Sequence, residues 1–199
     1  MANLEYIKEN YANDKNDGKN IPAFCYIDTG KVDRNGKKIC FSTYEDVEIN
    51  RNINTDVALY NGIWKSYPTI FTASGLENET IILDSLDASK VAGDFIYVYV
   101  KSLDGIKRWK YDKDELFINM SRNNVTETNF ASIYNNKETV YSIRVNENKN
   151  YELKFGNNVI GKKLSPGDKI YILYLETNGE DGYIDMGDIQ TAKLIDERE

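Results

Sequence analysis

Histidine is missing from all 199 residues. Its absence removes the side chain most often used as general base and the middle member of a nucleophilic triad. Positive charge is in the minority: the formal net charge is −7. The densest basic spots, Lys107-Arg108 and Lys162-Lys163, are only residue pairs and read as solvated turns. Phosphate binding needs clustered Lys and Arg, so the composition argues against nucleic acid as a direct partner. Long apolar runs are also lacking. The longest lies between Asp94 and Lys101, far short of the about 20 residues a membrane-spanning helix requires, which argues against membrane insertion. Residues 1–20 carry Glu5, Glu9, Asp14 and Asp17 in place of a basic start and apolar middle. That pattern predicts a protein made and folded in a cytoplasm.

Cysteine occurs only at Cys25 and Cys40, both in apolar, strand-like surroundings. With Asn35-Gly36 as a two-residue hairpin turn, Cys25 falls opposite a position near Asp46 and not opposite Cys40. Two buried free thiols are therefore expected, in keeping with a reducing compartment. Two cysteines without histidine fall short of the four ligands that a closed zinc site wants.

Other chemistry-bearing patterns are equally thin. Ala73-Ser-Gly75 lacks the flanking glycine of a nucleophile elbow. Gly156 and Gly161 lead to Lys162-Lys163 and a strand, not to the Lys-Ser/Thr that opens a helix in a phosphate loop. Asp112, Asp114 and Glu115 read as a solvated face, with an acid and base for glycoside cleavage as the alternative. Glu180, Asp181, Asp185 and Asp188, around Gly182 and Gly187, read as an acidic hairpin. A weak calcium site is the alternative there, although the spacing does not fit an EF-hand loop. The residue inventory thus predicts no catalytic site, no metal, no cofactor and no enzyme.

What the chain does have is strand patterning and turns. Residues 2–16 read as a short amphipathic helix with Leu4, Ile7 and Tyr11 on one face, followed by a polar linker to residue 20. Strands are expected over 23–28, 38–43, 57–60, 69–72, 80–83, 95–102, 106–110, 139–145, 151–155, 169–176 and 188–192. Asp104-Gly105 is the strongest hairpin signal. Residues 84–92 and 126–134 are each expected to hold a helical turn or two, and 193–199 a charged tail. The fold class is mainly β: an antiparallel sandwich or barrel-like domain over 21–192, with a short N-terminal helix and one or two minor helical turns.

Two groups of residues stand out. The first lies in the segment Tyr151 to Gly182. Tyr151, Leu153 and Phe155 alternate with Glu152 and Lys154 as in a half-buried strand. Gly156 and Gly161 bracket a sharp turn, with Asn157-Asn158 suited to left-handed backbone. Pro166-Gly167 fits the central positions of a type II turn ahead of Asp168 and the next strand, which ends at Asn178-Gly179. The second group is aromatic. Phe95, Tyr97 and Tyr99 share one strand face while Ile96, Val98 and Val100 share the other, so that strand is either sandwiched between layers or covered by a partner. With Trp64 and Trp109 they make a candidate interface, for which core packing and a sugar-binding platform are the competing readings.

The first group also carries a family likeness. Phe155-Gly156, the following Gly161, Gly167-Asp168 at a strand start and the Thr177-x-Gly179-x-x-Gly182 close resemble the signature of baseplate wedge proteins of contractile bacteriophage tails, relatives of the baseplate J-like family. Upstream, Ile21-Pro22 followed by Phe41-Ser-Thr43 is similar to that family's opening strand pair, and the segment 57–62 resembles its Tyr-x-Gly element. The likeness covers roughly residues 21–192. It departs where Asn157-Asn158 replaces Asp-Gly and where Tyr183 replaces asparagine. Family members are also much longer than this chain, with dimerising regions it lacks.

The resemblance implies a non-catalytic virion structural protein: a wedge subunit domain of the tail baseplate, assembled in the host cytoplasm. The partners implied are other wedge and hub proteins and further copies of itself, in a ring that rearranges when the sheath contracts. It further implies that Phe155, Gly156, Gly161, Gly167, Asp168, Gly179 and Gly182 shape the domain. The alternatives are a carbohydrate-binding β-sandwich module of a tail fibre or receptor binder, and a tail-associated cell-wall glycosidase.

Overall fold

The computed structural model describes residues 20–21, 23–48, 57–113, 138–185 and 193–195. The helix expected over 2–16, the helical turn over 126–134 and the strand over 188–192 lie outside the described residues. The chain divides into two compact units, one of residues 1–66 with 174–199 and one of residues 67–173. Local patterning reads as one β-rich stretch over 21–192. It carries no signal for which strands meet across long separations, and it is those pairings that define the units.

The first unit holds β1 (Asn20–Ile21), β2 (Tyr26–Val32), β3 (Lys38–Ser42), β4 (Val47–Glu48), β5 (Tyr60–Asn61) and β6 (Ile63–Ser66). The second holds β7 (Phe71–Thr72), β8 (Thr80–Leu83), β9 (Val91–Ser102), β10 (Gly105–Arg108), β11 (Lys110–Tyr111), β12 (Val140–Val145) and β13 (Tyr151–Phe155). β14 (Lys169–Glu176) carries the chain back to the first unit, which β15 (Lys193–Ile195) completes.

In the first unit β15, β2, β3 and β5 form an antiparallel sheet in that order, and β1 pairs with β4. The β2–β3 connection is longer than the two-residue turn expected at Asn35-Gly36. Asp33 donates its amide to the Lys37 carbonyl (2.8 Å), Gly36 donates to the Asp33 carbonyl (3.0 Å), and Gly36 sits at φ +78°. This is a type I turn closed by a left-handed glycine bulge. A second irregularity shifts the register between Asp28 and Val32. Cys25 therefore lies opposite Thr43, not near Asp46, and Cys40 pairs with Asp28. Neither cysteine is in a disulfide and both are buried, as expected.

The second unit contains two sheets. One runs β11, β12, β13, β8, parallel between β11 and β12 and antiparallel elsewhere. The other runs β10, β9, β14, with β7 on β14. Tyr141 on β12 donates its hydroxyl to the Ile96 carbonyl of β9 (2.6 Å), and Tyr151 on β13 donates to Val91 (2.9 Å). Each ring is thus buried in the core while its polar tip is satisfied by backbone of the opposite sheet. The central residues of β9, from Ile96 to Val100, are buried on both faces. The architecture is mainly β with antiparallel sheets, as the patterning predicts. Among the described residues no helix is long and apolar enough to cross a membrane.

Several local expectations are corrected. Residues 84–90 form isolated turns, not helix, because β9 begins as early as Val91. Lys193–Ile195, expected within the charged tail, pairs with β2. The hairpin between β9 and β10 turns at Leu103-Asp104, since Gly105 at φ +104° already pairs with Ser102. The strand Ile63–Ser66 has no counterpart in the patterning, because Lys65 and Ser66 break its apolar run.

The β12–β13 turn repeats the geometry of the β2–β3 turn with one difference. Asn146 replaces Asp33 as the capping side chain, its Oδ1 accepting amides of Asn148 and Asn150 (both 3.0 Å). Lys149, at φ +61°, stands where Gly36 stands in the first. Left-handed backbone costs an ordinary L-residue roughly 1–2 kcal/mol, part of which glycine gives back through unfolded-state entropy. Lys149→Gly is therefore expected to stabilise the protein by about 0.5–1 kcal/mol, read as a right-shifted urea transition with unchanged slope.

Candidate functional site

The glycine-bearing segment folds into two separate backbone knots, one in each unit. In the second unit, β13 ends at Phe155, whose ring is fully buried and meets Trp109 edge-on at 5.5 Å. The chain then doubles back. Asn157 donates its amide to the Ile160 carbonyl (3.3 Å) and Asn158 to that of Gly161 (3.0 Å). Asn158 and Gly161 both take left-handed backbone, φ +65° and φ +68°. The Asn157 side chain accepts amides of Val159 and Ile160 (2.9 and 2.8 Å), and that of Asn158 accepts Lys163 (2.8 Å). A Cβ on Gly156 would meet the Ile160 carbonyl oxygen at 2.6 Å and the Gly161 carbonyl closer still. Only glycine fits there, because the turn folds onto its own first residue.

The type II turn expected at Pro166-Gly167 is present. Gly167 sits at φ +89° and Asp168 donates its amide to the Ser165 carbonyl (3.1 Å). The Asp168 carboxylate accepts the Ser165 amide (2.9 Å). Gly167 and Ala73 tie the turn to the segment before β8, through Gly167 N–H to Ala73 (2.9 Å) and Ala73 N–H to Asp168 (2.8 Å). There Glu79 accepts the amides of Ser74 and Gly75 (2.7 and 3.0 Å), and Asn78, at φ +54°, donates to Gly156 (3.2 Å). Sequence reasoning misses Glu79 and Asn78. A carboxylate following Ser-Gly is the one signal that points to them.

In the first unit the knot joins two segments far apart in the chain. Asn61 accepts the Asn178 amide on Oδ1 (3.1 Å) and donates Nδ2 to the Gly182 carbonyl (3.0 Å), across separations of 117 and 121 residues. Gly179 (φ +58°) opens a single 3₁₀ turn, Gly179–Gly182. A Cβ on Gly182 would overlap the Asn61 amide, and one on Gly62 would overlap the Glu176 carbonyl. Asn178 also donates Nδ2 to Asp33 (2.9 Å), which fastens the β2–β3 turn. That bond, with the Lys37 amide, holds the Asp33 carboxyl below the usual range. Burial raises Glu176, but Lys65 and Lys37 more than offset it and leave its carboxyl lowered. Asp181 of the acidic segment pairs with Arg34 (2.6 Å). Among the described residues no three His, Cys, Asp or Glu side chains converge as a metal site would need.

The candidate interface is not a surface. Trp64, Tyr97, Tyr99 and Trp109 are buried, and Phe95 is half-buried. β9 is covered on both faces by its own chain, which takes up the aromatic area that an interface would have used. Trp64 packs in the first unit against Phe24 and Tyr44, with ring centroids at 5.7 and 5.5 Å. Tyr97 lies under the Arg108 guanidinium at 4.1 Å.

Lys154 departs most from its expected place. Alternation puts it on the polar face of β13, yet it is 1% exposed. The row it shares with Ser142, its partner on β12, is buried as well. Desolvation, with the like charge of Arg144, pushes its ammonium below the usual 10.5. The unfolded chain therefore holds this proton more tightly than the fold does. Stability should rise with pH from the folded pKa up to 10.5. Lys154→Met is expected to flatten that rise in urea titrations at a series of pH values; an unchanged slope would refute the assignment.

Apart from the Asn178–Asp33 and Asp181–Arg34 pairs, the polar side chains described in the knots are spent on backbone amides and carbonyls. One hollow of about 370 Å³ lies beside the β12–β13 turn, lined by Arg144, Val145, Asn146, Glu147 and Asn148. Its described lining residues include no nucleophile, and Arg144 is already paired with Glu152 (2.7 Å). No family model and no curated protein matches the sequence.

Proposed function

We propose that this chain is a non-catalytic structural component of a contractile phage tail baseplate, a wedge subunit domain that works through protein–protein assembly. One observation carries the reading. The Tyr60-Asn61-Gly62 and Thr177-to-Gly182 elements, which resemble one family's signature at distant points of the chain, meet in a single hydrogen-bonded knot through Asn61. Elements of a shared signature that serve one backbone device have a common structural reason to occur together. The rest of the signature, Phe155-Gly156 with Gly161, closes the second unit's knot in the same way. Such modules transmit force by switching between packed arrangements at their interfaces, not by flexing inside.

The carbohydrate-binding alternative relies on an exposed aromatic platform, and Trp64, Tyr97, Tyr99 and Trp109 are spent on the core. The proposal is tested by mixing the purified chain with the products of adjoining tail genes and measuring masses by light scattering. A discrete complex of fixed stoichiometry with a wedge or hub protein is expected. A chain that stays at its own mass with every tail protein would refute the role.

A further inference from the structure

The pair Asn-Gly occurs at Asn35-Gly36, Asn61-Gly62 and Asn178-Gly179, always in the first unit. Asparagine is a chemically labile side chain, and a following glycine has no Cβ to shield its backbone nitrogen from the asparagine Cγ. The three sites differ in how the asparagine is held. Asn61 is half-buried and clamped at both ends of its amide, Oδ1 by the Asn178 N–H (3.1 Å) and Nδ2 by the Gly182 carbonyl (3.0 Å). Asn178, also half-buried, donates Nδ2 to Asp33 (2.9 Å) and to the Lys38 carbonyl (3.3 Å). Asn35 is exposed at the tip of the β2–β3 turn. Its backbone amide is bonded, but its side chain makes no hydrogen bond among the described residues. The glycine amides do not discriminate: Gly36 donates to the Asp33 carbonyl (3.0 Å), Gly62 to that of Cys40 (2.8 Å) and Gly179 to Thr177 Oγ1 (3.1 Å). The asparagine side chain is what sets the sites apart.

Asp33 connects the exposed pair to the knot. Its Oδ1 accepts the amides of Asn35 (2.8 Å) and Lys37 (2.9 Å), which bracket the Asn35–Gly36 peptide bond. Its Oδ2 accepts Nδ2 of Asn178 (2.9 Å). One carboxylate thus grips the turn with one oxygen and the knot with the other.

We propose that Asn35 is a site of spontaneous deamidation, and that isoaspartate formed there frees Asn178 from Asp33 and opens it to the same reaction. The Gly36 nitrogen attacks Asn35 Cγ, and its proton passes through water to the departing Nδ2. The Cγ–Nδ2 bond breaks, ammonia leaves, and a succinimide remains. Water then opens the ring, giving aspartate when the Cγ–N bond breaks and isoaspartate when the bond from the α-carbonyl carbon breaks. Isoaspartate carries the main chain through Cβ and Cγ. One extra atom then lies between the two amides that Asp33 Oδ1 holds, and a single oxygen no longer spans them. Attack at Asn35 needs only fraying of an exposed tip, whereas attack at Asn61 or Asn178 needs the knot itself to open. At Asn178 the product exchanges a donor for a carboxylate facing Asp33, and like charges oppose reclosure. The inference rests on the turn and knot geometry and does not depend on the baseplate reading.

Peptide mapping of the whole chain, aged in mildly alkaline buffer at body temperature, tests it. Mass spectrometry reads amide-to-acid exchange at each asparagine, and electron-transfer fragmentation separates isoaspartate from aspartate. Early in the folded time course Asn35 should convert at least about tenfold faster than Asn61 or Asn178, and in urea that difference should vanish. Asn178 should follow in the folded protein only after a lag. Asn35→Gln, whose longer side chain cyclises far more slowly, should delay conversion of Asn178 at least about tenfold further. Position 35 is exposed, so circular dichroism and urea unfolding of that variant should match the parent. Asn61 or Asn178 converting as early as Asn35 in the folded chain would overturn the proposal, as would an Asn35 that stays intact until urea is added. So would an Asn178 that never converts, or one that converts equally fast in Asn35→Gln.

Discussion

Gly156→Ala is expected to destabilise the protein by about 3 kcal/mol, the upper end of ordinary overpacking costs. For a chain of this length that corresponds to a fall in Tm of about 6–12 °C. The added methyl would meet the Ile160 carbonyl oxygen at 2.6 Å, and the neighbouring Gly161 carbonyl is closer. Both are backbone, so no rotamer change relieves the contact. The turn must open, and opening it breaks the Asn157 and Asn158 amide bonds and loosens Phe155 beneath Trp109. Gly167→Ala is the control. Gly167 has φ +89°, but a methyl added there would find nothing within 4 Å, so only the backbone preference is lost, about 1 kcal/mol. Thermal unfolding of the two variants side by side separates close approach from conformational freedom. Equal effects would mean that the Gly156 turn has room to spare.

Trp64→Ala is expected to cost about 4 kcal/mol, in the range for emptying a large buried aromatic site. The indole is 2% exposed, and its Nε1 donates to the Thr43 carbonyl (2.9 Å), which also accepts the Phe24 amide (3.1 Å). Phe24 holds φ +64°, an uncommon conformation for a bulky residue, and the Tyr44 and Trp64 rings both meet it edge-on while tilted against each other. Removing the indole therefore leaves a cavity and withdraws support from a strained neighbour. Trp64→Phe should recover more than half of the loss. Urea unfolding of the isolated chain is the measurement. A variant as stable as the parent but impaired in association would place Trp64 in an interface and not in the core.

The strands from Thr80, Tyr151 and Lys169 are legible in the sequence because an apolar pattern ends there in turn residues on both sides. The glycine positions are legible for a related reason: Gly161, Gly167 and Gly179 do take left-handed backbone. What closes around them is not legible. Asn61 and Gly182 are 121 residues apart, and nothing local to Tyr60-Asn-Gly62 announces an amide bridge to the end of β14. The aromatic strand is ambiguous in principle, since Phe95 to Val100 is apolar on both faces whether a partner or its own chain covers it. Lys154 misleads because alternation in β13 assigns a face to each side chain without saying whether that face is covered.

Amide hydrogen exchange of the chain by itself tests most directly the claim that these glycines exist to hold backbone shape. The amides of Asn157, Asn158 and Asn178 are bonded within the knots, and those of Phe155 and Lys162 are bonded to the neighbouring Glu79 and Glu138 carbonyls. They should exchange slowly in the free protein and stay as slow when assembly partners are added. Fast exchange in the free chain, slowed only by a nucleotide, metal ion or sugar, would contradict the account.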